Sequence, residues 1–117
     1  MKTFLFYSAV ALCAITSLCR CGAQGVEFSR DIRPVLSGRC FKCHGPDAEA
    51  READLRLDQR ADAVAFDAIV PGSPRESTLI ERITTDDPDL RMPPSGDPLS
   101  RRQIESFQKW IETGAKY

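Results

Sequence analysis

From residue 26 onward the apolar positions fall into short clusters at helical spacing, separated by polar stretches punctuated with proline and glycine. Ile32, Val35 and Leu36 recur at i, i+3 and i+4, the spacing of one apolar stripe, and predict a first helix over 28–44. Asp31 suits its N-cap better than Ser29, because Pro34 then lies in the first turn where its missing N–H breaks no bond. Gly45-Pro46 reads as the stop, glycine for a left-handed cap and proline because it cannot continue the helix. Residues 47–54 are mostly small and charged, a solvated loop or weak helix. Leu55-Arg56-Leu57 alternates like a short extended piece before a helical turn over 61–66. Ser73-Pro74-Arg75-Glu76 predicts the second helix start, with Ser73 as N-cap, Pro74 at N1 and Glu76 closing a capping box. Leu79, Ile80 and Ile83 share its face, and it should end near Thr84 or Thr85. A last helix opens at Ser100, with Gln103 completing a capping box and Leu99 and Ile104 forming a hydrophobic staple. Ile104, Phe107, Trp110 and Ile111 line its buried face, and Gly114 ends it. The class expected is all-α.

The first residues follow another pattern. Lys2 precedes an apolar run from Phe4 to Leu18 of about 15 residues, the length of a signal-peptide core and short of the roughly 20 that span a bilayer. Cys21-Gly22-Ala23 offers a small-x-small cleavage signal. The expectation is a signal peptide over 1–23, a mature domain over 24–117 without a membrane span, and a periplasmic location. An uncleaved anchor is the competing reading, and it would demand a thinned bilayer or a strained tilt. A lipid anchor on Cys19 or Cys21 is weaker, since Leu18 and Arg20 before them are not small.

Composition then narrows the chemistry. At 117 residues and 42% hydrophobic the chain suits one domain and not two. Of its five cysteines, Cys13, Cys19 and Cys21 lie in the leader. Cys40 and Cys43 remain, too close together to staple a fold as a disulfide. The net charge is −1, and loss of Lys2 and Arg20 with the leader makes the domain more acidic, so no basic surface is offered to nucleic acid.

Cys40-Phe41-Lys42-Cys43-His44 is the pattern of covalent haem c attachment: each thiol forms a thioether with a haem vinyl group, and the histidine ligates the iron. On a helical turn, residues three and four apart share a face, so two tethers and one ligand can come from one turn. His44 is the only histidine in the chain. Met92, the only methionine besides Met1, lies in a proline-stiffened loop suited to holding a thioether on iron. Gap-filling in a core is the commoner use of methionine. Zinc would want four ligands, and no second cysteine–histidine cluster exists in the mature chain. A redox dithiol would want a βαβ setting. Phe107 and Trp110 read as core, packing on the first helix and the haem edge. Arg91 beside Met92 is offered as a propionate partner against the safer reading of a solvated arginine. A small domain with so large an apolar cofactor should be poorly ordered without it.

Residues 28–36 (FSRDIRPVL), 40–47 (CFKCHGPD), 55–58 (LRLD), Val70-Pro71-Gly72, Arg91-Met92-Pro93-Pro94, Gln103-Ile104, Trp110-Ile111 and Gly114-Ala115 together resemble the planctomycete-type cytochrome c domain. The resemblance runs from about Val26 to the C-terminus. It implies a class I cytochrome c-like fold wrapped around one haem, with His44 and Met92 as axial ligands of the iron. The activity implied is single-electron transfer with redox partner proteins, rather than enzymatic catalysis. In that family the domain commonly opens a longer exported protein. The alternative is therefore a haem-bearing module or subunit of a larger enzyme, or a five-coordinate haem site if Met92 does not bind.

Overall fold

The computed structural model describes residues 24–117; the expected signal peptide and its cleavage site lie outside them. The chain enters through a π-helical turn, Phe28–Ile32, and continues as α1, Arg33–Arg39. Pro34 is the second residue of α1, where its lack of an N–H is tolerated. Asp31 is not the N-cap expected of it. Glu27 holds that place, and Asp31 reaches back so that its carboxylate accepts the Glu27 N–H at 2.8 Å. The turn is widened, with Arg33 N–H donating to Phe28 O just before the proline.

Helix α2 runs Arg60–Ala65, close to the expected turn. The start of the next helix differs from the sequence expectation. Pro74–Glu76 forms a separate 3₁₀ turn, Ser73 makes no side-chain cap, and α3 runs Thr78–Thr84. The buried Ser77 hydroxyl explains the break: it donates to Ser73 O and accepts from Val70 N–H, both at 2.9 Å. Those bonds pin the loop instead of extending the helix. Helix α4, Arg101–Glu112, has the expected capping box, with Gln103 N–H donating to Ser100 Oγ at 3.2 Å and Ser100 N–H to Gln103 Oε1 at 2.8 Å. Past its end, Gly114 turns at φ 110° and Ala115 at φ 50°. Arg60 at the head of α2 donates to the freed carbonyls of Gly114 and Ala115. No strand occurs among the described residues, and 55–57 is irregular rather than extended.

One core joins these elements. Ile32 and Leu36 from the entry, Ile80 and Ile83 from α3, and Phe107, Trp110 and Ile111 from α4 are all buried. Phe28 stacks on Trp110 with ring centroids 5.7 Å apart and on Tyr117 at 4.5 Å, so the two ends of the domain close on each other. Tyr117 also donates its hydroxyl to Leu57 O at 2.8 Å, joining the end of the chain to the segment that follows the Cys40–His44 turn. No helix of the described residues is long and apolar enough to cross a membrane.

Candidate functional site

The first helix does not run unbroken to His44. It ends at Arg39, and Phe41 N–H reaches back five residues to Leu36 O at 2.9 Å. A new turn then forms on one carbonyl: Cys43 N–H and His44 N–H both donate to Cys40 O, at 3.2 and 2.8 Å. The thiols and the imidazole therefore share a single hydrogen-bonded turn. Gly45 ends it, though not as a left-handed cap, since its φ is not among the positive ones. A Cβ at Gly45 would sit 2.2 Å from Phe41 O, closer than any side chain allows, so glycine is required by the approach of two backbone segments.

After Gly45 the chain folds back over the imidazole. Glu52 N–H donates to Cys43 O at 2.7 Å, and Leu57 N–H donates to His44 O at 2.8 Å. His44 Nδ1 lies 3.2 Å from Glu52 O. A carbonyl only accepts, so the proton of that bond is on Nδ1 and Nε2 is left with its lone pair free for a metal. Ala53 and Asp54, both at φ 54°, make the reversal that aims this carbonyl.

Met92 comes from the loop between α3 and α4, where its N–H donates to Arg82 O at 2.9 Å. Arg82 in turn donates from Nη1 to Leu90 O at 3.2 Å, so α3 holds the loop at Leu90 and at the methionine itself. Cys40, Cys43, His44 and Met92 all border one cavity of about 340 Å³. Its walls are carbon: Leu57, Ala68, Leu79, Ile83, Leu99 and Phe107. The size is that of a cofactor-sized pocket. An apolar slot with two thiols, an imidazole nitrogen and a thioether sulfur at its margin fits a flat porphyrin bound by sulfur at its edge and by nitrogen and sulfur at its iron. Arg39 and Arg82 at the same margin can face carboxylates. Both thiols are unbridged, and burial pushes the Cys40 thiol up to about 11, so it is held uncharged at neutral pH.

Sequence reasoning singled out the four residues that converge here. It assigned nothing to Arg39, Arg82, or the Glu52 carbonyl, because a backbone oxygen recruited by a loop has no periodicity to betray it. Arg91 does not border the cavity. Its Nε is buried with no hydrogen-bond partner among the described residues, which departs from the solvated arginine expected. Phe107 lines the cavity, and Trp110 stacks on Phe28, within the stretch expected as the first helix.

Residues 40–96 match the family model described as planctomycete cytochrome C. These residues form a planctomycete-type cytochrome c domain. The matched stretch begins at the first thiol and ends just beyond Met92, so it holds both thiols, the imidazole and the thioether that border the cavity. Membership of this cytochrome c family brings a haem-binding, electron-transfer role, and the helical architecture is compatible with it. No curated protein and no solved structure matches the chain.

Proposed function

We propose that the protein is an exported monohaem c-type cytochrome that passes single electrons between redox partner proteins. Cys40 and Cys43 would hold the haem through thioethers, each S–H adding across a vinyl double bond so that sulfur bonds carbon and the proton goes to the neighbouring carbon. His44 Nε2 and Met92 sulfur would hold the iron. The observation that supports the reading is the convergence of both thiols, the single imidazole and the single internal thioether on one apolar cavity.

When bound, the haem supplies an iron that alternates between ferric and ferrous. The chain's own residues do the rest. With both His44 and Met92 holding the iron in either state, electron transfer would need no ligand to enter or leave. Leu57, Leu79, Ile83 and Phe107 exclude water, and the methionine sulfur favours the ferrous state. No group need act as general acid, base or nucleophile, so the role is carrier rather than enzyme. Export to the periplasm supplies the compartment in which the two thiols meet haem.

The test is the spectrum of the native reduced protein, made in cells that attach haem, with and without carbon monoxide. A spectrum unmoved by carbon monoxide is expected of filled axial positions. A shift without denaturant would show an open iron and favour the five-coordinate alternative.

A further inference from the structure

The segment between Gly45 and Asp54 contains one side chain that binds the whole loop together, and nothing in the proposed reaction uses it. Arg51 is mostly buried, its side chain 16% exposed. Its Nε donates to Gly45 O at 3.0 Å, its Nη2 to Pro46 O at 3.2 Å, and its Nη1 to Asp54 Oδ1 at 3.3 Å. The guanidinium fork thus joins the two residues that follow His44 to the residue that completes the reversal after Glu52. Glu52, the next residue along, carries the carbonyl that meets His44 Nδ1. The reversal itself costs energy, since Ala53 at φ 54° lies in the left-handed region without the local hydrogen-bonding side chain that eases it. A strained turn persists only where its surroundings hold it, and Arg51 supplies three of those bonds.

We propose that Arg51 is a positioning residue for the iron ligand: by clamping Gly45 and Pro46 to the Glu52 turn it keeps Glu52 O on His44 Nδ1, and through that bond it lowers the reduction potential. The inference rests on ligation of iron by His44, as proposed above. A carbonyl that accepts the Nδ1 proton pushes electron density toward Nε2 and makes the imidazole a stronger donor, which favours ferric iron. Loosening the carbonyl removes that push, and the potential rises. Arginine is needed because its donors are set in a plane and can serve two adjacent carbonyls at once. A lysine ammonium can serve one or the other.

The experiment compares the haem-loaded wild type with Arg51→Ala, Arg51→Lys and Asp54→Asn. It reads the reduction potential by spectroscopic titration, and the solvent exchange of the His44 Nδ1 proton by NMR of the ferrous protein. Arg51→Ala should keep a six-coordinate spectrum, raise the potential, and speed Nδ1 proton exchange about tenfold, the loss of roughly one net hydrogen bond of loop stability. Arg51→Lys should lie between it and the wild type. Asp54→Asn should match the wild type, because asparagine keeps the Oδ1 that accepts from Arg51 and tolerates the left-handed backbone at φ 54°. Six-coordinate Arg51→Ala and Arg51→Lys proteins with wild-type potential and wild-type exchange would overturn the proposal. Should Arg51→Ala not accumulate with haem, the lysine variant carries the same decision. A wild-type protein whose iron is not bound by His44 would instead fail the ligation reading on which this one stands.

Discussion

The two sides of the cavity hold their proposed iron ligands by different means. On the histidine side the backbone N–H and C=O of His44 and its Nδ1 are each tied to a different residue, Cys40, Leu57 and Glu52. Gly45 packs with no room for a methyl group, and Arg51 locks the returning loop. On the methionine side, Met92 hangs on one backbone bond to Arg82 O, with Pro93 and Pro94 limiting what the loop can do. The imidazole is built in, and the thioether is strapped on. The difference teaches that the two ligands should respond unequally to perturbation, the sulfur leaving first.

The largest break in that comparison comes from removing the sulfur. Met92→Ala should leave the haem on its tethers and on His44, open the sixth position to carbon monoxide, and lower the reduction potential. Native carbon monoxide binding and a redox titration read both, and a variant as inert as the wild type would show that Met92 is not a ligand. Next in size is Gly45→Ala. The added carbon meets Phe41 O at 2.2 Å, so the backbone must separate, at a cost of about 2–3 kcal/mol by the usual penalty for overpacking. Chemical denaturation of the haem-loaded protein should show it, and an unchanged midpoint would mean the His44 turn is looser than drawn here. Ser100→Ala is smaller and separates stability from ligation. It removes the side-chain acceptor of the α4 cap and should cost about 1 kcal/mol. The potential should stay unchanged, because α4 carries neither of the proposed ligands.

The smallest effect lies in the entry turn. Asp31, hydrogen-bonded by Arg30 and by the Glu27 N–H, has its carboxyl lowered to about 2. A group whose folded value is depressed contributes stability above its unfolded value and loses it as pH falls through the folded one. The entry turn should therefore loosen between about pH 4 and pH 2, and Asp31→Asn should flatten that dependence. Far-ultraviolet circular dichroism across that window checks it, and identical acid profiles would remove Asp31 from the account.

What the amino-acid order made legible was whatever depends on local spacing. Ser100 and Gln103 read as a capping box, and Phe107, Trp110 and Ile111 as a buried stripe, because each is set within one or two helical turns. Cys40, Cys43 and His44 announce their chemistry by their spacing, and Met92 by scarcity. The parts that stayed hidden depend on partners brought from elsewhere. Ser77 takes the loop that Ser73 was expected to cap, since its hydroxyl is buried between two backbone groups. Asp31 serves the entry turn from inside it, because Pro34 is passed by a widened turn rather than a late start. Arg51, in a stretch that reads as solvated, turns inward toward the carbonyls of Gly45 and Pro46, which nothing in the periodicity of 47–54 foretells.

The account stands most directly on covalent attachment at Cys40 and Cys43. The decisive measurement is the mass and haem stain of the denatured protein, made in cells equipped to attach haem, for the wild type and for a double Cys40→Ala, Cys43→Ala variant. The wild type should gain the mass of one haem and stain after denaturation, and the variant should do neither. A colourless wild type with two free thiols at its unmodified mass would contradict it.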